Sequence, residues 1–165
     1  INIYTALITA KEILKADAVF VSMGPGIAGT GTKYGFTGIE QGSILDAVKK
    51  LEGRAIAIPR ISFADKRERH QGISHHSMTV FKEIVNVNVD IPITIYDDEK
   101  LNFIKEQINL NGLDKKHNII YIDNNKTKED LDYFNLKVKS MGRNYEQDEA
   151  FFKAASTAAY YLMEV

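Results

Sequence analysis

The chain has 165 residues, 44% hydrophobic and 26% charged, with a formal net charge of −1, which describes one domain able to bury a core and argues against disorder. So small a net charge provides no global attraction to nucleic acid or to an anionic membrane. The absence of cysteine removes disulfides, thiolate nucleophiles and cysteine-ligated zinc, and fits a reducing, cytoplasmic compartment.

Taken in order, the chain opens on "INIYTALITAKEIL", where Ile3, Leu7, Ala10, Ile13 and Leu14 share one helical face. There is no initiator Met, and a helix is an unusual first element for an α/β domain. The expectation is a segment cut from a longer protein, with the missing N-terminal part of its own chain as a partner and part of the site lying before Ile1. "DAVFVSM" (17–23) reads as a first strand, ending at glycine. "SILDAVKKL" (43–51) is amphipathic, with Ser43 as N-cap and Gly53 past its end. "RAIAIPRISF" (54–63) is a second strand. "SHHSMTVFKEIVN" (74–86) is a helix capped by Ser74 or Ser77. "IPITIY" (91–96) is a third strand, and "DDEKLNFIKEQINL" (97–110) a helix with acids in its first turn, where the dipole favours them.

"HNIIYID" (117–123) is a fourth strand, "TKEDLDYF" (127–134) a short helix from a Thr cap, and "LKVKSMG" (136–142) a weaker fifth strand. "DEAFFKAASTAAYYLMEV" (148–165) is a final helix rich in small residues. Strand and helix alternating in this way predict a single α/β domain over residues 1–165. Its architecture would be three-layer and Rossmann-like, with a mainly parallel sheet of about five strands and helices on both faces. No apolar run reaches the ~18 residues of a membrane span, so no membrane partner is expected.

Three segments would follow strands at the sheet's carboxyl edge, where α/β proteins place their chemistry. The first, 24–42, holds seven of the eleven glycines. Gly24-Pro25-Gly26-Ile27-Ala28-Gly29 spells the dinucleotide fingerprint, yet no apolar helix follows it and Arg60, not an acid, ends the second strand. A dinucleotide is therefore set aside. The looser expectation is anion binding, with backbone amides of Gly24, Gly26, Gly29 and Gly31, hydroxyls of Thr30 and Thr32, and the charge of Lys33. Tyr34 and Phe36 stack on a ligand or pin the loop.

The second segment, "RISFADKRERHQGISHHSMT" (60–79), crowds His70, His75 and His76 beside Asp65. Arg60, Arg67 and Arg69 would clamp an anion, since guanidinium forks match phosphate and carboxylate oxygens. His75 or His76, with His70 as a further candidate, would be the general acid/base, oriented by Asp65. A competing reading places a divalent metal on Asp65, His70 and His75; adjacent His75 and His76, about 100° apart on a helix, are expected not to share one ion. The third segment, "SMGR", offers Arg143 to the ligand.

These stretches, "GPGIAGTGTKYGFTGIEQG", "RISFADKRERHQGISHHSMT" and "SMGR" before an alanine-rich helix, resemble an uncharacterised bacterial family, a domain of unknown function. The resemblance implies soluble proteins of about twice this length, this chain being the C-terminal half. It implies no reaction and no catalytic residue. The functional expectation is an enzyme, a hydrolase or transferase, acting on a small anionic ligand of the phosphorylated or nucleotide kind. The alternative is a non-catalytic module that senses a metabolite or docks a partner through the same pocket. Nucleic acid is not expected to bind, and a homo-oligomer stays open.

Overall fold

The computed structural model describes residues 2–24 and 26–164. Pro25 of the glycine motif and Val165 of the final helix lie outside the described residues.

The centre of the molecule is a strand–helix–strand unit. Strand β3 (Asp90–Thr94) is buried along its whole length and pairs in parallel with β4 (Asn118–Ile122), Asp90 facing Asn118 and Thr94 facing Ile122. Between them run helices α4 (Asp98–Asn111) and α5 (Leu113–Lys116). Asp97 caps α4 by accepting from the amide of Lys100, and Asp98 and Glu99 occupy its first turn, where negative charge is favoured. Ile104 and Ile108 turn inward from α4 onto the core.

On the other edge of β3, residues 55–57 run alongside for one bridge. The amide of Ala57 donates to the carbonyl of Asp90 at 2.8 Å, and that of Asp90 to Ala55 at 3.0 Å. Pro59 follows closely; without an N–H it cannot extend a ladder. Beyond it, β1 (Ile61–Ser62) pairs antiparallel with β2 (Gly72–Ile73).

The expected five-strand, Rossmann-like parallel sheet with three layers does not form. Among the described residues there are two two-stranded sheets, one parallel and one antiparallel. Residues 17–23 form no strand, and Val19, Phe20 and Val21 are exposed. Their β-branched character is a preference that only a partner strand converts into structure. Residues 136–142 form no strand either. Asn135, Met141 and Gly142 all have positive φ, which breaks an extended run, and Ser140 and Arg143 exchange both backbone hydrogen bonds at 2.9 Å across a tight turn.

The helices follow the sequence more closely. α1 (Ile3–Ile8) is capped by Asn2 and continues as a π-wound turn (Thr9–Ile13), but it buries none of its residues. α2 (Glu40–Lys50) begins earlier than expected, after a 3₁₀ turn (Thr37–Ile39), so Ser43 lies inside it. α3 (His75–Thr79) is capped by Ser74 and widens into a π turn (Val80–Ile84) that buries Val80 and Phe81. α6 (Thr127–Tyr133) is short, and α7 (Glu149–Glu164) is the longest helix described.

α7 lies on β3, and its Ala154, Thr157 and Ala158 are small enough to let the backbones approach. The hydroxyls of Thr157 and Thr94 hydrogen-bond across that contact. At the amino end of β3 the Asp90 carboxylate accepts from Arg54 Nε at 2.8 Å, the Tyr161 hydroxyl at 2.9 Å and Asn118 Nδ2 at 2.9 Å. Among the described helices none is long and apolar enough to cross a membrane.

Candidate functional site

The segment from Arg60 to Thr79 folds back on itself around one carboxylate. Asp65 Oδ1 accepts from the backbone amide of Arg67 at 3.1 Å and from its Nε at 2.9 Å, and Asp65 Oδ2 accepts from Arg67 Nη2 at 2.8 Å. Arg60 Nη2 reaches the same Oδ2 at 3.4 Å, and Gln71 Nε2 donates to the Asp65 carbonyl. The fork from Arg67 holds the Asp65 carboxyl well below the usual carboxylate range, against the opposing effect of its burial. Asp65 and Arg67 thus shape the loop; their hydrogen bonds run to each other.

This knot returns the chain through a 3₁₀ turn (Glu68–His70) and β2 to the start of α3. Three imidazoles converge there. The ring centroids lie 4.8 Å apart for His70 and His75, 5.6 Å for His70 and His76, and 3.9 Å for His75 and His76. One nitrogen of each falls within 4.8 Å of the other two. The 100° divergence of adjacent helical positions applies at Cβ; at the first turn of α3 the rings are long enough to meet again. His70 is buried, and His75 and His76 are half-buried.

Burial and the neighbouring arginines push all three rings toward the neutral form. Burial, reinforced by Arg67 and Arg60, lowers His70 to about 4. Burial, His75 and then Arg69 bring His76 to about 4, and burial followed by Arg69 lowers His75. A neutral imidazole offers one acceptor and one donor nitrogen. His70 Nδ1 and His75 Nε2 are buried and have no partner among the described residues.

A second polar group joins this one through Arg60. Ser62 Oγ lies 2.9 and 2.8 Å from the two oxygens of Asp148, and Arg143 Nε donates to Asp148 Oδ2 at 3.0 Å. The turn at Met141–Gly142, left-handed at both positions, aims Arg143 back at Asp148. Arg60 senses Asp148 as a favourable charge and Arg143 as an unfavourable one, while burial works against its own charge most strongly. Arg60 Nη1 and Arg143 Nη2 are both buried without a partner among the described residues. Asp148 also lines an open cleft of about 600 Å³ at the carboxyl ends of β3 and β4, whose walls carry Asp97, Asp123, Glu146 and Glu149. Lys100 and Lys153 also line it, paired with Asp97 and Glu149.

The glycine loop packs beside the histidines. Phe36 is buried and its ring lies 4.4 Å from that of His76. The loop's donors turn inward, however. The amide of Thr30 donates to the Gly35 carbonyl at 2.7 Å, its hydroxyl to the same oxygen at 3.2 Å, and the hydroxyls of Thr30 and Thr32 are 3.0 Å apart. Lys33 and the Tyr34 hydroxyl both bind Glu83, at 2.8 and 2.6 Å. Gly24, Gly26, Gly29 and Gly31 are exposed.

Of the residues singled out in the sequence, His70, His75, His76 and Arg60 come together, and Arg143 joins through Asp148. Arg67 serves Asp65, Arg69 is exposed, and Lys33 serves Glu83. His117, the remaining histidine, is buried elsewhere, its Nε2 donating to the Phe81 carbonyl at 2.8 Å. Ser62 and Asp148 escaped the sequence reading. An acid just ahead of the final helix was the available signal for Asp148; a serine inside an apolar run gave none for Ser62.

A family described as a protein of unknown function, DUF3866, matches residues 1–159, and the chain belongs to it. Neither the curated proteins nor the solved structures offer a match.

Proposed function

We propose that the protein is an enzyme acting on a small anionic ligand, a phosphorylated or carboxylate-bearing metabolite, at the junction of the histidine cluster with Arg60 and Arg143. One observation carries this reading: Arg60 Nη1 and Arg143 Nη2 are buried donors with no acceptor among the described residues. Buried donors are nearly always satisfied, and charged ones most strongly. Two guanidinium groups near enough to oppose one another gain from an anion placed between them. The three neutral imidazoles close to Arg60 supply the other requirement of hydrolysis or group transfer, an acceptor for the proton of the attacking hydroxyl. Phe36 closes the histidine side as an apolar wall. The glycine loop contributes this wall, while its own hydroxyls remain bonded within the loop.

The test is a melting-temperature screen against inorganic phosphate, sugar phosphates, nucleotides and dicarboxylates. A ligand at one hundred times its Kd stabilises by about 2.7 kcal/mol, enough to raise the midpoint by several degrees. The expected hit is lost in Arg60→Gln and in Arg143→Gln. Silence across the panel, or a hit that persists in both variants, overturns the reading.

A further inference from the structure

We infer that His70, His75 and His76 form a binding site for a divalent transition metal of the zinc class. The inference rests on the reading above and deepens it by naming the cofactor of that same site, at which the ring lone pairs serve the metal in place of the proton transfer, and it is tested by metal binding without any turnover.

The ligand set comes from two neighbouring elements. His70 ends the 3₁₀ turn that the Asp65–Arg67 fork folds, and His75 and His76 occupy the first turn of α3 behind the Ser74 cap. One nitrogen from each ring lies within 4.8 Å of the others. Four ligands around zinc, at about 2.0–2.1 Å from the metal, sit about 3.4 Å from one another. Closing the remaining gap asks the ring tips to move by about 1.4 Å at most, which side-chain rotation supplies with the backbone held still.

The second observation is the state of the nitrogens. His70 Nδ1 and His75 Nε2 are buried and have no hydrogen-bond partner among the described residues. A metal ion takes up such a lone pair, and imidazole binds metals in its neutral form. The Phe36 ring against His76 adds the apolar surround that restricts solvent at metal centres.

Electrostatics set the identity of the ion and of its remaining ligand. Among the described residues no carboxylate joins the three nitrogens: the nearby Asp65 is taken by Arg67 and Arg60. An all-imidazole set suits zinc, cobalt, nickel or copper, and does not suit magnesium or calcium, which require oxygen. Arg60 and Arg67 act on all three rings as positive charges, and Arg69 acts on His75 and His76. Three neutral ligands do nothing to offset a dication among those arginines. The open fourth position therefore belongs to an anion, either hydroxide or an oxygen of the ligand held at Arg60.

The experiment titrates zinc into protein first stripped by a chelator and then freed of it, in competition with a chromophoric chelator. The expected result is one equivalent bound, with affinity lowered about 100-fold or more in each of His70→Gln, His75→Gln and His76→Gln. His117→Gln should leave it unchanged. Because His70 is buried and its variant could unfold, nitrogen NMR of the unaltered protein provides the second readout: zinc should shift the ring nitrogens of the three histidines and leave those of His117 in place. The site is refuted if no zinc binds, if folded histidine variants bind as the parent does, or if the shifts fall on other residues. Magnesium binding with the affinity of zinc refutes it equally. None of these outcomes alters the anion screen, so the two readings fail separately.

Discussion

Replacing Asp148 with Asn removes one charge and little volume from the join between α7, β1 and the turn that carries Arg143. The parent carboxylate, with a side chain 1% exposed, accepts from Ser62 and from Arg143, whose side chain is 23% exposed. Breaking a buried ion pair by removing one partner costs about 3–5 kcal/mol. Solvent reaches part of Arg143 and Asp65 still faces Arg60, so the expected cost falls to about 2–3 kcal/mol. For a chain of this size that lowers the melting midpoint by about 5–10 °C. Thermal denaturation followed by circular dichroism reads it directly. Pairing Asp148→Asn with Arg143→Met in a double-mutant cycle should return a coupling of about 1–3 kcal/mol. A drop of under about 2 °C in the single variant, or additive effects in the double, would show that the Asp148 carboxylate does not hold this corner together.

The histidines make stability depend on pH in a defined window. Their folded pKa values lie below the ordinary 6.5, so the unfolded chain binds more protons between about pH 6.5 and 4, and stability falls as pH falls through that range. His70 alone, at about 4, should account for about 2 kcal/mol lost between pH 8 and pH 5. Asp65, depressed instead, loses its contribution only below about pH 4 and stays out of the window. In metal-free buffer His70→Asn should show a visibly flatter decline of the melting midpoint than the parent; identical slopes would contradict the assignment. Gly72 sits at φ +63, and a Cβ there would meet Gln107 Oε1 at 2.3 Å and Phe103 Cε1 at 2.8 Å. Since Gln107 Oε1 accepts from the amide of Ile73 at 2.8 Å, Gly72→Ala should cost about 1–3 kcal/mol, measured by urea denaturation. An unchanged urea midpoint would refute it.

Helices with their own punctuation were legible. Ser74 ahead of α3 and Asp97 ahead of α4 are local signals, and both cap in the structure. Strands were harder, because a strand is a relation between two segments and only one of them is in view at a time. "IPITIY" and "HNIIYID" found each other as β3 and β4. "DAVFVSM" is apolar too, with fewer β-branched residues, and forms no strand. The histidine crowd could be read because its members are close in sequence. The role of Asp65 could not, since whether a carboxylate faces a metal or an arginine depends on a loop only seven residues from Arg60 to Arg67 winding into a knot. Ser62 and Asp148 lie 86 positions apart, beyond the reach of any local pattern.

The Asp90 carboxylate has a consequence for the order in which the molecule comes together. Its partners Arg54, Asn118 and Tyr161 enter from three separate stretches, the last 71 positions away. A chain that has already buried β3 but not yet seated α7 carries that charge without its full set of donors, a state that solvation disfavours. Partial assemblies are thereby penalised, and the core and the final helix are made to close together. Loop-closure cost over so long a separation slows that event. The feature that ties the core to the final helix thus ties it through a contact 71 positions long.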